Sequence, residues 1–501
     1  MNKKVMKNIT KVVSFLMICI LTFSVLDGIL KFKYTDGTKP INTFYEQEED
    51  TVDVLILGSS HAFTNFLPKV LWDDYGYSSY IFSASVQPVW NSYFYLEEAL
   101  KTQTPKAIVF EGYRLVEKSD YVSAQTAIKS TYGMKFSSTK IKALAESFRL
   151  SDFLEYTFQF GNYHSRYNEL GKPDFKEFYN DPYYRYYKGE VYQLRTYDSA
   201  KRVDVSKYDQ AEKKLSEKTE KYYVKMIELA KEHNIPFITI IAPYNIPERE
   251  YGYYKYAEKI AAEHDVPFIN INEDYDSINL DFKTDFSDAT HLNHAGAKKL
   301  SVYLGDYLKQ NYDIPDRRND DKYESWQIYS DVFTRYYHNQ LKKESDWKKY
   351  FETAEAEGNY SYVMLVNGYD SFGTDAKNAV SDFLSAVNID NSDITDSVYV
   401  IRNGQLQFTS SDTDTDKSIR FNSNTDIRLS FGEKQFDTPK EKKNVYFANI
   451  NNNDKSNLRV IPCGITVIVY DEILEKVVET VYYESDANAM TRTNTHFSED
   501  K

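Results

Sequence analysis

Two short polar motifs, far apart in the chain, contain the residue types that acyl-transfer chemistry uses. Ser60 lies in the motif Gly-Ser-Ser-His at 58–61, and Asp288 and His291 begin and end the motif Asp-Ala-Thr-His. A serine hydroxyl is a weak nucleophile until a neighbouring base takes its proton. His291 is suited to act as that base, with Asp288 holding the imidazole in the correct tautomer and stabilising the imidazolium. The three residue types therefore predict nucleophilic catalysis by Ser60, provided that the fold brings the two motifs together.

Two other histidines and a purely structural interpretation compete with this triad. His61 is adjacent to Ser60, but neighbouring side chains on a turn between a strand and a helix point apart, which favours His291 as the base. His294 would allow a metal site with Asp288, but no further carboxylate or cysteine accompanies them, so no metal is expected. The structural alternative is a simple turn at Ser60 and a helix N-cap at Asp288.

The elements that would position these motifs alternate between short apolar runs and amphipathic segments. The predicted strands are 52–57, 80–82, 107–110, 237–241 and 267–271, and the predicted helices are 91–100, 210–233, 254–264 and 294–310. Such an alternation is typical of α/β proteins with a doubly wound parallel sheet flanked by helices. Ligands bind at the carboxyl ends of the strands in these sheets, so we expect Ser60 and the loop of His291 at the same edge. Residues 115–205 break the alternation and are predicted to form an insertion above the sheet.

Residues 50–312 resemble the SGNH/GDSL hydrolases, through Gly-Ser-Ser after the first strand and Asp-x-x-His-Leu-Asn before the last helix. The likeness is greatest to the membrane-anchored branch that includes the D-alanyl-teichoic-acid transfer proteins and the alginate-type acetylation proteins. This resemblance implies an SGNH-type fold with Ser60 as nucleophile, His291 as base and Asp288 as its partner. It implies a serine acyltransferase or esterase that acts without a cofactor on O-acyl groups, O-acetyl first among them, of a cell-surface polysaccharide or teichoic acid. A membrane-bound O-acyltransferase is the partner that the resemblance implies.

The middle motif blocks of that family, which supply the oxyanion hole, are altered in this chain. Where the family has a glycine donor after the second strand, the chain has Ala84 and Ser85, one of which would have to donate its amide. Where the family has Gly-x-Asn-Asp after the third strand, Tyr113 and Arg114 are the replacements, and Asn245 is a further donor candidate. Each lost donor is expected to slow acyl transfer by about 10²-fold or more. An SGNH-fold protein that binds polysaccharide with little or no catalysis is therefore the alternative function.

The insertion offers two further candidates for substrate contacts. His164 and Arg166 could orient a sugar hydroxyl or a phosphate at the mouth of the site. The alternative is that they cap and pair within a surface lobe. Aromatic residues make up 16% of the chain, with 45 tyrosines and 30 phenylalanines, which suits contact with sugars as well as ordinary core filling.

The N-terminus predicts a membrane anchor. Four lysines precede an apolar run from Val12 to Leu30, which as a helix would span about 28 Å, close to the thickness of the hydrocarbon core. Basic residues before such a run favour a cytoplasmic N-terminus. No small-x-small cleavage motif follows, so residues 1–33 are interpreted as a cytoplasmic stub and a single-pass signal anchor, with the remainder of the protein extracellular. A cleaved signal peptide is the alternative.

A second domain is predicted after a polar segment. Residues 313–322 are rich in charge and include a proline, and the linker and a helix are predicted to occupy 313–358. Residues 359–501 are rich in strand-like runs and contain one helix-like segment near 376–387, which predicts a separate α+β domain. Its predicted hairpin, 464–471 with 477–481, and the segment 370–384 resemble the ILEI lectin-type domain, with the order of the two segments reversed and Thr466 in place of an asparagine. This resemblance implies a carbohydrate-binding or partner-binding module, and a packing domain without a ligand is the alternative.

Charge and cysteine content exclude two broad classes. The chain has 501 residues and a net charge of −14, from 61 basic and 75 acidic residues, so nucleic-acid binding is not expected. Its two cysteines, Cys19 and Cys463, are not expected to pair, which leaves no disulfide framework.

Overall fold

The computed structural model divides the protein into two compact units, Met1–Val332 and Phe333–Lys501. The structure describes residues 3–157, 166–172, 174–175, 187–191, 193, 195–357, 360–386, 389–392, 394–402, 405–411, 417–422, 425–437, 440–451, 458–472, 476–485 and 490–493. The first unit is built on one sheet and the second on two, and the hydrophobic clusters of each unit are its own.

The first unit is built on a five-stranded parallel sheet with the strand order β2-β1-β3-β4-β5. Its strands are β1 (Val54–Gly58), β2 (Ser79–Ser83), β3 (Ala107–Glu111), β4 (Phe237–Ile241) and β5 (Phe268–Asn270). Every residue of β1 to β4 is buried, as expected of a parallel sheet that is covered on both faces. The predicted parallel α/β sheet is confirmed.

Helices cover both faces of this sheet. The helices of this unit outside the insertion are α1 (Lys3–Leu30), α2 (Thr38–Phe44), α3 (Ser60–Asn65), α4 (Pro68–Tyr75), α5 (Val89–Ala99), α9 (Glu217–Glu232), α10 (Glu248–Glu263) and α11 (His294–Asn311). On one face, Leu55 and Leu57 pack with α5, α9 and α10, and on the other, Val54 and Ile56 pack with α3, α4 and α11. The alternation of side chains along a strand thus fills two cores.

Two predicted helices begin at other residues than the sequence pattern indicated. The helix predicted from residue 210 begins at Glu217, because Ser216 caps it by accepting a hydrogen bond from the Thr219 amide. The helix predicted from residue 254 begins earlier, at Glu248, directly after Pro247. Acidic residues in its first turn complement the helix dipole, a signal that the apolar periodicity alone did not contain.

The insertion is helical where the structure describes its first part. Its helices are α6 (Ala124–Thr131), α7 (Ser138–Ser147) and α8 (Leu150–Thr157). The Ser123 and Ser137 side chains cap α6 and α7. Hydrogen bonds from the Trp90 indole to Ser147 (3.2 Å) and from Asn91 to Ser130 (2.9 Å) tie these helices to α5.

The described residues of the segment 187–197, here called the return segment, carry the insertion back along the sheet edge. Four backbone hydrogen bonds hold it: Ile81 N–H to Lys188 O (2.8 Å), Val191 N–H to Phe63 O (2.8 Å), His294 N–H to Gln193 O (2.8 Å) and Tyr197 N–H to Phe286 O (2.7 Å). The return segment therefore joins β2, α3 and the loop before α11.

The first unit extends beyond residue 312. The Arg317 guanidinium makes two hydrogen bonds to the Asp53 carboxylate, at 2.8 and 3.1 Å, and so holds the polar segment 313–322 against the start of the sheet. The next helix, α12 (Glu324–Leu341), starts on the same unit, where Trp326 is buried and donates to the Ser79 carbonyl at 3.0 Å.

The second unit is an antiparallel structure. It contains a six-stranded sheet of order β14-β13-β12-β6-β7-β8 and a three-stranded sheet of order β11-β10-β9. Its strands are β6 (Tyr360–Asn367), β7 (Ser397–Arg402), β8 (Gln405–Ser411), β9 (Lys417–Arg420), β10 (Asp426–Asp437), β11 (Lys440–Ile450), β12 (Gly464–Asp471), β13 (Lys476–Ser485) and β14 (Met490–Thr493). Helices α13 (Trp347–Glu357) and α14 (Thr374–Ala386) pack on one face of the larger sheet, and the smaller sheet packs on the other. The predicted hairpin is present as the antiparallel pair β12–β13.

The N-terminal helix is suited by length and composition to cross a membrane. Within α1, an 18-residue window of the span Asn8–Leu30 has a mean hydropathy of 2.3, and a signal sequence would have the same property. The predicted apolar span is thus present as a continuous helix, whose end is followed by Lys31 and Lys33.

Gly189 lies at a close contact between the return segment and β2. Its φ is +88°, and a Cβ at this residue would lie 1.8 Å from the Ile81 carbonyl oxygen. We expect Gly189→Ala to lower the free energy of unfolding by roughly 3 kcal/mol, because both strain and overlap must be relieved. Thermal unfolding of the full chain in detergent measures this effect. Gly432→Ala, whose Cβ would meet nothing closer than 3.9 Å, is the control, and an unchanged unfolding temperature for Gly189→Ala would contradict the described seating.

Candidate active site

The structure brings Ser60, His291 and Asp288 into one hydrogen-bonded chain. The His291 Nε2 atom lies 2.9 Å from the Ser60 Oγ atom, although 231 residues separate them in sequence. The His291 Nδ1 atom lies 3.0 and 3.1 Å from the two Asp288 carboxylate oxygens. With a proton on Nδ1, the imidazole presents an unprotonated Nε2 to the serine hydroxyl, which is the arrangement that a general base requires.

The Asp288 carboxylate is held in its ionised form. Partial burial raises its pKa, but hydrogen bonds from the Thr290 amide (2.8 Å) and from His291 outweigh this effect and lower the pKa to about 2. The Thr290 hydroxyl also lies 2.9 Å from Asp288 and 3.1 Å from the His291 Nδ1 atom. Asp288 is therefore a fixed negative charge beside the imidazole, and it stabilises the imidazolium form.

Ser60 lies where the chain leaves the sheet. It is the first residue of α3, directly beyond β1, and β1 lies between β2 and β3 in the sheet. This is the switch point of the strand order, the place where open α/β sheets bind ligands. Gly58 has a φ of +152°, and a Cβ there would lie 3.0 Å from the Glu111 carbonyl oxygen. The turn that presents Ser60 therefore depends on a close approach of the β1 and β3 backbones.

The loop that carries Asp288 and His291 is held at both ends. Phe286 and Leu292 form an isolated antiparallel bridge, and the Ser287 amide donates to the His291 carbonyl at 2.9 Å. Asn293 follows as the N-cap of α11, accepting a hydrogen bond from the Gly296 amide at 3.2 Å. The loop is thus a short closed turn, which fixes the position of the imidazole.

Two asparagines attach this loop to the rest of the site. The Asn65 side chain, at the end of the helix that starts with Ser60, accepts the Leu292 amide at 3.0 Å. The Asn245 amide donates to the Ala289 carbonyl at 3.1 Å. Asn65 therefore connects the element of the nucleophile directly to the loop of the base.

A buried pair of ionisable groups, His61 and Glu111, lies beside the triad. The His61 ring is 4.8 Å from the His291 ring, between centroids, and stacks on Tyr113 at 3.7 Å. Its Nδ1 atom is 3.9 Å from the Glu111 carboxylate, and neither of its ring nitrogens has a hydrogen-bond partner among the described residues. Burial raises the pKa of Glu111 to about 8 and holds the pKa of His61 well below its ordinary value. Both groups are therefore uncharged at neutral pH.

Three of the predicted oxyanion donors lie near the carboxyl edge of the sheet, but two of their amides are engaged elsewhere. Ala84 is buried directly after β2. The Ser85 amide donates to the Asp36 carbonyl at 2.7 Å, and the Tyr113 amide donates to the Glu111 carboxylate at 3.2 Å. The amides of Ser85 and Tyr113 are therefore not free to bind an oxyanion in this conformation.

Arg114 and Asn245 remain as side-chain donors. Arg114 pairs with Glu117 through one terminal nitrogen, and its buried Nε atom has no hydrogen-bond partner among the described residues. Its positive charge adds to burial and the charge of His291 in lowering the pKa of His61. Asn245 is partly exposed beside the Asp288 loop.

The two candidates from the insertion have different outcomes. His164 lies outside the described residues. Arg166 was a candidate for substrate contact, with capping and pairing as the alternative; its guanidinium donates to the carbonyls of Ile29, Leu30 and Lys31 at 3.2, 3.0 and 2.9 Å and pairs with an aspartate. These contacts occupy Arg166 at the end of α1, so it caps a helix rather than reaching Ser60.

Among the described residues, no group of three or more His, Cys, Asp or Glu side chains is arranged to hold a metal ion. His294 is buried in α11, and burial holds its pKa well below the ordinary value.

Sequence reasoning missed Asn65 and Glu111. Asn65 carried no distinctive signal, because the short helix that it ends also contains Ser60, His61 and Thr64, and only the fold shows which of these polar side chains meets the Leu292 amide. Glu111 ends an apolar strand at the ligand-binding edge of the sheet, where an acidic residue is unusual.

No protein-family model matches the sequence, and no match is found among curated proteins.

Asn65 should control the reactivity of Ser60. Asn65→Ala leaves the Leu292 amide without its acceptor, which costs about 1–3 kcal/mol and loosens the loop of His291. We expect a fluorophosphonate probe to label Ser60 about tenfold more slowly in this variant. Asn91→Ala, which removes another buried asparagine of the same unit, is the matched control. Equal labelling rates in Asn65→Ala and Asn91→Ala, both measured well below their unfolding temperatures, would contradict the positioning role.

Glu111 should make stability fall as the pH rises. Its pKa is about 8 in the folded protein and about 4.5 when exposed, so between these values the folded state holds a proton that the unfolded state has released. The contribution of Glu111 to the free energy of unfolding is then full below pH 4.5 and is lost toward pH 8, by up to about 1.4 kcal/mol per pH unit. Glu111→Gln should flatten this decrease. Unfolding temperatures from pH 5 to 8 measure it, and parallel curves for the two proteins would exclude a protonated Glu111.

Proposed function

We propose that the protein is a membrane-anchored extracellular serine acyltransferase or esterase of the SGNH type. Its substrates would be O-acyl groups, O-acetyl first among them, of a cell-surface polysaccharide or teichoic acid. The observation that carries this proposal is the 2.9 Å contact between the His291 Nε2 and Ser60 Oγ atoms, with Asp288 on the other side of the imidazole. A histidine base and a serine hydroxyl from opposite ends of the domain are here in hydrogen-bond contact at the switch point of the sheet, where ligands bind. This arrangement is the one that nucleophilic catalysis by Ser60 would require.

The geometry supports a two-step transfer. His291 takes the proton of Ser60 while the serine oxygen attacks the acyl carbonyl, and the alcohol of the donor leaves with that proton. The acyl group is then an ester on Ser60. An acceptor hydroxyl gives its proton to His291 and attacks this ester, and Ser60 recovers its proton from His291. Asp288 stays ionised throughout, as its pKa of about 2 requires.

Oxyanion stabilisation must come from fewer backbone donors than in the family that the chain resembles. The Ser60 amide lies in the first turn of α3, where an amide has no acceptor within its own helix. We propose this amide as the first donor and the Arg114 guanidinium or the Asn245 side chain as the second. Ala84 is a further donor candidate, whereas the amides of Ser85 and Tyr113 are used elsewhere.

The anchor favours transfer over hydrolysis. An apolar N-terminal helix would keep the site beside a polymer that is modified at the membrane, where a membrane-bound O-acyltransferase would be the partner that supplies acyl groups. Water in place of the acceptor hydroxyl would make the same triad an esterase. The second unit is proposed as the carbohydrate-binding module, on the resemblance of its hairpin and helix segments to the ILEI lectin-type domain. No cofactor is needed for any of these steps.

A polysaccharide-binding protein with little catalysis is the second candidate. The observation in its favour is the engagement of the Ser85 and Tyr113 amides, which removes two expected oxyanion donors. Such a protein would keep its biological effect when Ser60 is replaced by alanine, whereas an enzyme would lose it.

The test is turnover of an aryl acetate by the full chain in detergent. We expect Ser60→Ala and His291→Ala to lower kcat/KM by about 10³-fold or more and Asp288→Asn by about 10²–10⁴-fold. Ser59→Ala, which removes the neighbouring hydroxyl, should leave the rate unchanged, since that oxygen has no hydrogen-bond partner among the described residues. Equal rates for the wild-type and Ser60→Ala proteins, combined with retained polysaccharide binding, would favour the binding protein.

A further inference from the structure

The end of the apolar helix α1 is held by the insertion. Besides capping the last carbonyls of α1, the Arg166 guanidinium pairs with Asp174 at 2.5 Å. Lys33, just beyond the helix, lies 3.3 Å from the same carboxylate and donates to the Ile29 carbonyl at 3.0 Å. The segment around Arg166 and Asp174 therefore sits at the residues where the chain would leave a bilayer.

The insertion helices also pack against this exit. Leu30, Phe32 and Tyr34 contact a small core formed by α6, α7 and α8, whose buried members are Ala127, Ile128, Tyr132, Leu144 and Phe148. Phe153 and Tyr156 place one side of α8 on the same core. The position of α8 relative to the end of α1 is therefore set by both polar and apolar contacts.

Four large apolar or aromatic side chains around this exit are exposed. The exposed fractions are 86% for Leu150, 65% for Leu154, 62% for Tyr167 and 51% for Phe175. Leu150 and Leu154 are four residues apart on α8 and so are neighbours on successive turns, both exposed, whereas Phe153 and Tyr156 of the same helix are partly buried. Tyr167 and Phe175 directly follow the residues that hold α1. We call these four residues the exit patch.

We propose that the exit patch lies in the headgroup region of the bilayer that α1 crosses. The proposal rests on the membrane anchor of the proposed function. The end of a membrane-spanning helix lies at the level of the lipid headgroups, and side chains held against that end lie at the same level. Exposed leucines and aromatic rings are disfavoured in water and favoured at this interface.

This contact would fix how the catalytic unit stands on the membrane. Asp36, shortly after the exit, accepts the Ser85 amide at 2.7 Å and pairs with Lys129 of α6 at 2.6 Å. Ser85 follows β2 at the carboxyl edge of the sheet, the edge that also carries Ser60. With the exit patch in the bilayer, two lipid contacts, α1 and the patch, would hold the edge that bears Ser60 close to the membrane surface.

The experiment measures depth in the membrane with lipid-borne quenchers. The full chain with Cys19→Ser and Cys463→Ser receives one fluorophore through Leu154→Cys or Phe175→Cys and is reconstituted in vesicles of phosphatidylcholine and phosphatidylglycerol that carry doxyl-labelled lipids. Phe15→Cys, inside α1, reports on the anchor, and Glu263→Cys, exposed on α10, is the water-facing control. We expect lipid quenching at residues 154 and 175 to exceed that at residue 263 by about fivefold or more.

The possible results distinguish failure of the exit-patch proposal from failure of the membrane anchor. Quenching at residue 15 with none at 154 and 175 would overturn the proposal and leave the anchor standing. No quenching at residue 15 would overturn both. Protection of residue 154 from a water-soluble quencher, without quenching by lipid, would assign the patch to a protein contact and would also overturn the proposal.

Discussion

The hydrogen bond between Ser60 and His291 is the contact on which the organisation of the site depends. It joins the first strand end of the sheet to the loop before the last helix of the same unit, and it requires both to be fixed to within a few tenths of an ångström. Asn65 accepts the Leu292 amide, and Asn293 caps α11, so the loop has little freedom. Ser60 and His291 are therefore positioned by residues that lie outside the triad.

The two carboxylates of the site are driven to opposite protonation states by their surroundings. Asp288 receives hydrogen bonds from a backbone amide and an imidazole, and its pKa falls to about 2. Glu111 is fully buried behind Tyr113, and its pKa rises to about 8. Asp288 thus places a permanent negative charge beside His291. Glu111 stays neutral, so it places no negative charge near the proposed oxyanion donors.

The insertion connects the end of the apolar helix α1 to the candidate site. Its helices pack on the residues that follow α1, and its return segment binds β2, α3 and the loop before α11. Lys188 in that segment is buried with its ammonium 3.6 Å from the Trp326 ring centroid and 2.7 Å from Gln47. A segment whose composition predicted an insertion above the sheet therefore helps to hold the first unit together.

The sequence by itself determined the parallel strands, their alternation with helices, the apolar N-terminal helix and the residue types of the triad, because each of these is set by local periodicity or by side-chain chemistry. Only the tertiary structure decided that Asn65 would accept the Leu292 amide and that Arg166 would cap α1 instead of reaching Ser60. Those partners lie 227 and 136 residues apart. Buried polar groups form hydrogen bonds with the donors and acceptors that the packing of helices and strands brings within about 3 Å. The spacing of residues along the sequence does not predict which partners these are.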